Sequence, residues 1–166
     1  MSDTAQTQGW TKLNIYLHWL VVVLIIAQYI DREWMHKLYE ATVEGGESVS
    51  QTATIGGYAH IIGGTLILVA SAIRLLDRFV HGKPPHPEAA PHWTAIVSSV
   101  THFLLYAVLL AMPTFGLIAW LAGAEQFAHW HTFLWNPLLA LIVLHIAGAL
   151  VQQLHYKTGV INRMAP

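Results

Sequence analysis

The 166-residue chain is 55% hydrophobic and 10% charged, with a net charge of −1, whereas a soluble domain of this size carries roughly 25% charged residues. That composition indicates a polytopic membrane protein forming one bundle, and the near-neutral charge points away from nucleic acid as a partner. The absence of cysteine excludes disulfides, Cys-ligated iron–sulfur or zinc centres and thioether-attached cofactors.

The first apolar stretch, residues 13–30, is long enough to cross the hydrocarbon core. It follows a polar lead and lacks a small-x-small cleavage pattern, so it is expected to be a retained span rather than a signal peptide. Asp31 and Arg32 are expected to stop it, and residues 32–54 to form a polar, mostly acidic loop broken at Gly45-Gly46. The second span is predicted over 55–76, with Arg74, Asp77 and Arg78 at its far end. The proline-rich segment that follows, HGKPPHPEAAPH, cannot be helical and reads as a stiff connector. The third span is predicted over 94–121, with a kink at Pro113 and Gly116. A short loop is expected over 122–130, and a fourth span over 130–156.

The expected fold is therefore an all-α bundle of four transmembrane helices, a single domain over residues 1–166. Lys12, Arg74, Arg78, Lys83, Lys157 and Arg163 fall on one side, and only Arg32 and Lys37 on the other. The excess of positive charge places both termini in the cytoplasm. Trp10, Trp34, Trp93, Trp130 and Trp135 lie near the span ends, as an aromatic belt would.

Four histidines, His18, His60, His131 and His145, lie in or at the edge of these apolar stretches. His131 and His145 are fourteen residues apart, almost four turns of one helix, which puts them on one face about 21 Å apart along the axis. The alternating span directions match His60 with His131 at outer depth and His18 with His145 at inner depth. Ionisable side chains within membrane spans are costly and mark function. Two bis-histidine sites stacked across a bilayer suit b-type haem, whose iron takes two axial imidazoles and whose apolar disc fits between helices.

Small residues near the ligands, Gly63 and Gly64 after His60 and Gly148 after His145, would let a macrocycle approach. The same fourteen-residue spacing relates His60 to Arg74, His18 to Arg32 and His102 to Gly116. Arg74 is thus expected to meet the propionates of the inner haem and Arg32 those of the outer one. Simpler roles compete: interfacial anchoring for the arginines, helix packing for the glycines, and interhelical hydrogen bonding for a single histidine. His102 lies at inner depth and is the alternative to His18 as a ligand. His129, two residues before His131, falls on nearly the opposite helix face from His145. His36, His81, His86 and His92 read as solvated loop residues, and His155 as an interfacial one.

In order along the chain stand His18-Trp19, His60 with Gly64 and Arg74, and His102-Phe-Leu-Leu-Tyr106. Met112-Pro113-x-x-Gly116-Leu117, Trp130-His131, His145 and Asn162-Arg163-Met164-x-Pro166 follow. In these features the chain resembles the bacterial cytochrome b561 proteins over nearly its whole length. The resemblance implies an inner-membrane protein with two haem b groups, His60–His131 for the outer and His18–His145 for the inner, exchanging electrons with quinone, with ubiquinone as the expected type. It also brings superoxide:ubiquinone oxidoreduction as an activity. The chain departs from the family pattern in carrying Gln152-Gln153 where a His-His pair is common, and in the lengths of its two outer loops. Candidate quinone contacts are His102, Tyr106, Gln152 and His155. The competing expectations are a carrier or haem-bearing anchor subunit for a periplasmic redox protein, and a histidine-lined metal transporter. The transporter lacks support, because the spans show neither repeats nor carboxylates.

Overall fold

A computed structural model describes residues 9–46, 48–87 and 89–165. Helix α1 spans Lys12–Thr42, α2 Gln51–His81, α3 His92–Ala122, α4 Glu125–Phe133 and α5 Trp135–Leu154; a 3₁₀ turn covers Asn162–Met164. The described residues contain no strand. Four stretches are long and apolar enough to cross a membrane: α1, α2, α3, and α4 taken with α5. Large apolar side chains such as Val23, Ile26, Ile62, Val69 and Val143 face outward, as lipid contact requires. An even number of spans returns the chain to its starting side, so both termini and the connector 82–91 share one face of the bundle. The 43–50 loop and residues 123–124 lie on the opposite, loop face.

The sequence places helix ends by local chemistry. Thr11 Oγ1 accepts the Asn14 N–H at 3.0 Å and Ser50 Oγ the Ala53 N–H at 3.2 Å, capping α1 and α2. Gly82 (φ 79°) and Gly123 (φ 60°) end α2 and α3 in conformations that suit glycine.

Two expected boundaries are corrected. Asp31 and Arg32 do not stop the first helix, which continues to Thr42. Asp31 faces the bundle and is buried, and beyond it Trp34 and Leu38 lie over Gly56 and Gly57 of α2, so the added turns have a packing surface. The loop on that side shrinks to residues 43–50, with Gly45 at φ 75°. The expected 122–130 loop is only Gly123-Ala124, because helix resumes at Glu125. The single fourth helix is itself divided at Leu134 (φ −67°, ψ −11°). Pro137 has no N–H to offer the carbonyl four residues back, at Phe133. His131 and His145 therefore occupy successive helical segments. α3, by contrast, carries Pro113 without interruption.

α1 and α2 form the tightest pair. A Cβ on Gly57 would come within 2.5 Å of Leu38 Cδ2, and one on Gly63 would collide with the Gln28 amide. Small residues thus bring two backbones together where lipid offers no hydrophobic drive for association. At the terminal face this pair is locked by polar contacts. Asn14, fully buried, donates to Asp77 Oδ2 (3.0 Å) and to the Arg74 carbonyl (3.2 Å), and accepts from Arg74 Nε (3.2 Å). Thr11 donates to the same Asp77 oxygen at 2.8 Å. A shared core of Val21, Ile67, Ala70, Leu109 and Leu138 joins α1, α2, α3 and α5. Leu138 is the only buried residue of α5, and Trp135 and Ile142 pack partly buried against the same core.

Candidate functional site

His60 on α2 and His131 on α4 face each other on the loop side of this core, with ring centres 6.1 Å apart and planes at 73°. Each ring is held by its Nδ1. His60 Nδ1 lies 2.6 Å from Asp31 Oδ1, and His131 Nδ1 lies 2.7 Å from the Met112 carbonyl. Donation from Nδ1 leaves each Nε2 as the free, lone-pair-bearing nitrogen. Gly116 makes the second anchor possible, since a Cβ there would sit 2.9 Å from His131 Nδ1. That supplies a physical reason for the Met112-Pro113-x-x-Gly116 pattern: the missing side chain lets the ring reach the helix backbone.

The two rings open on a cavity of about 550 Å³ bounded by all five helices, within the roughly 300–1,000 Å³ usual for cofactor pockets. Its interior is mostly apolar, including Ile25, Leu109, Leu117, Trp135 and Leu138. Gly64 lines it as expected, whereas Gly63 is turned toward Gln28 of α1. Arg32 stands at the rim with an exposed side chain, its guanidinium 4.1 Å from the Tyr29 ring centre and Nη1 donating to the Tyr29 carbonyl. Tyr29 in turn stacks on Trp135 at 5.6 Å, closing α1 against α5. Glu44, Glu125, His36 and His129 complete the rim.

On the terminal side, His18 of α1 and His145 of α5 have ring centres 6.2 Å apart and planes at 62°. His102 of α3 approaches the same His145 ring to 5.1 Å while its Nδ1 lies 2.6 Å from the Ser98 carbonyl. Arg74 of α2 lies toward the same face, with its guanidinium 5.8 Å over the Tyr106 ring of α3. A Cβ on Gly148 would meet nothing within 4 Å, so the space one turn beyond His145 is open.

Two metal–imidazole bonds of about 2 Å each hold ring centres about 6 Å apart across one metal atom. Both the 6.1 Å and 6.2 Å pairs fit that spacing, and the 5.1 Å pair is too close for it. At the loop-side pair, imidazole donors on either side of an apolar cavity with Arg32 at its rim match the needs of b-type haem. The other histidines stand elsewhere. His129 is exposed against Trp130, and His155 packs on Tyr156. His86, expected in solvent, is half-buried, with Nε2 3.2 Å from the Ala90 carbonyl. Gln152 donates to Thr94 Oγ1 at 3.1 Å, while its buried Oε1 has no partner among the described residues. Asp31 is the site residue that sequence reasoning missed. Its position beside a predicted span end suggested a stop, and only the long α1 turns it inward.

The family model described as prokaryotic cytochrome b561 matches residues 9–166. Cytochrome b562 of Cereibacter sphaeroides is 32% identical over 159 residues, covering 96% of each chain. Cytochrome b561 homolog 1 of Escherichia coli (strain K12) is 25% identical over 111 residues, covering 65% of this chain and 57% of that protein. The chain therefore belongs, over nearly its whole length, to the prokaryotic cytochrome b561 family of membrane cytochromes.

Proposed function

We propose that the chain is a single di-haem domain of the bacterial inner membrane that carries electrons between its two faces and exchanges them with membrane quinone, ubiquinone being the expected type. The observation that carries this reading is the pair of imidazole gaps of 6.1 and 6.2 Å, one toward each face. His60 and His131 would hold one haem on the loop side, and His18 and His145 a second on the terminal side. Haem bound at each pair supplies one-electron chemistry.

The chain's own residues do the rest. Asp31 and the Met112 carbonyl orient the loop-side imidazoles. Gly64 and Gly148 leave room for a macrocycle, and the apolar lining excludes water. Arg32 and Arg74 are placed to meet propionate carboxylates. His102, too close to His145 to share an iron with it, serves the terminal-side pocket as a neighbour and hydrogen-bonding group. Gln152, with its free buried oxygen, and Tyr106 are the candidate contacts for a quinone at that face.

A reduced-minus-oxidised visible spectrum of the purified protein, with haem quantified per chain, tests the reading. Two non-covalent b haems are expected; none would overturn it. In His131→Ala the count should fall to one, and retention of two would remove His131 from the ligand set.

The donor is the point on which two readings divide. Superoxide would be drawn by positive charge, and Arg32 supplies one such charge at the cavity mouth. Glu44 and Glu125 share that rim, with Glu33 and Glu40 nearby on α1. This acidic surround favours the second reading, a carrier or anchor subunit serving a basic redox protein.

A further inference from the structure

Asp31 is a buried carboxylate in a membrane span, and its only recorded partner among the described residues is His60. The contact is short, 2.6 Å from Oδ1 to Nδ1, and both side chains are largely shielded, at 10% and 15% exposure. The neighbouring cation, Arg32, turns outward to Glu33 at 3.6 Å and to the Tyr29 carbonyl. One turn before Asp31, Gln28 donates to the His60 carbonyl at 3.1 Å, so α1 holds His60 by backbone and ring together. The opposed ring, His131, gives its Nδ1 to a neutral carbonyl instead.

The two imidazoles of the loop-side pair are therefore chemically unequal. A carboxylate acceptor forms a charge-assisted bond, roughly twice as strong as a neutral one. It fixes the Nδ1–H tautomer, aims Nε2 away from Asp31 and makes the ring a more basic ligand. Greater donation to the iron favours the oxidised over the reduced metal.

We propose that Asp31 is the positioning residue for His60 and, through that ring, holds the reduction potential of the loop-side haem below the value its two histidines alone would give. The proposal rests on the di-haem reading above. It also separates the two sites, because the terminal-side pair has an arginine, Arg74, beside it and no recorded carboxylate on either ring.

The test is a potentiometric titration of the purified holoprotein, with low-temperature EPR of the oxidised form to identify each haem. Asp31→Asn keeps shape and a hydrogen-bonding group while removing the charge. The loop-side midpoint should rise by at least tenfold in the reduction equilibrium, about 59 mV for one electron. Its EPR signal should move while the terminal-side signal stays fixed. Asp31→Glu, which restores the charge, should return the midpoint part of the way. Loss of the loop-side haem alone in Asp31→Ala, with retention in Asp31→Glu, also supports the assignment. An unchanged midpoint in Asp31→Asn, or an equal shift of both haems, overturns it. Failure of the di-haem reading is distinct: His60→Ala would then keep its full haem content.

Discussion

Arg74 is held at three points. Its Nε donates to Asn14, its carbonyl accepts from Asn14, and its guanidinium lies over Tyr106. A long side chain tethered in this way loses little further entropy when a carboxylate arrives, which suits a propionate partner. A positive charge near the terminal-side pair should favour the reduced metal of a haem bound there. Arg74→Ala is expected to retain two haems while lowering the terminal-side midpoint, read by redox titration. An unchanged midpoint would remove Arg74 from this role. Arg32 has no comparable tether to α2, only its own helix and Glu33. Its removal should shift the loop-side midpoint less. The fourteen-residue spacing singled out both arginines, but it could not distinguish a half-buried, anchored one from an exposed one. That difference comes from Asn14 and from Asp77, which reads in sequence as a span-end residue; both side chains are in fact buried.

At the scale of elements, the spans were legible because about twenty consecutive apolar residues have no other use. The ends were not. Asp31, Arg32 and the acidic residues after them look like a loop by composition, yet they continue a helix whose inward face is Asp31, Trp34 and Leu38 against small residues of α2. The break at Leu134 was carried by Pro137, a signal present in sequence but outweighed by the apolar run around it. His60 faces His131, and His18 faces His145, despite that break, because depth rather than helix continuity decides which rings meet. His102 was the ambiguity that sequence left open, and the 5.1 Å spacing to His145 separates it from His18. The helix contacts themselves give two predictions. Gly57→Val would press a side chain into Leu38, and overpacking of this kind costs about 1–3 kcal/mol. The measurable result is a lower thermal midpoint with both haems still bound. Gly116→Val would instead drive into the His131 ring and loosen its bond to the Met112 carbonyl. Its expected outcome is selective weakening of the loop-side haem, seen as a count approaching one per chain with the terminal-side spectrum intact.

Across the whole molecule the charges are distributed unevenly, which under the proposed di-haem reading would give the electron path a direction. Asp31 contacts His60 of the loop-side pair, and Arg74 lies over Tyr106 toward the terminal face. A negative group disfavours the reduced metal and a positive one favours it, so both act to make transfer from the loop face to the terminal face downhill. Entry then belongs at the loop face, where the cavity opens among Arg32, Glu44 and Glu125. On that proposal exit to quinone would belong at the terminal face, toward Gln152 and Tyr106. This arrangement makes the identity of the donor a question of surface charge. A basic redox protein attracted by the rim carboxylates would reduce the cytochrome at a rate that falls as ionic strength rises, since screening shortens the reach of surface charge to about 8 Å at physiological salt. Glu44→Gln with Glu125→Gln should slow that reaction and flatten its salt dependence. Superoxide, an anion, should respond in the opposite sense to the same double substitution: removing the carboxylates leaves Arg32 less opposed and speeds reduction. Stopped-flow measurement of haem reduction with each donor, in the presence of quinone, separates the two, because one pair of substitutions moves the two rates in opposite directions.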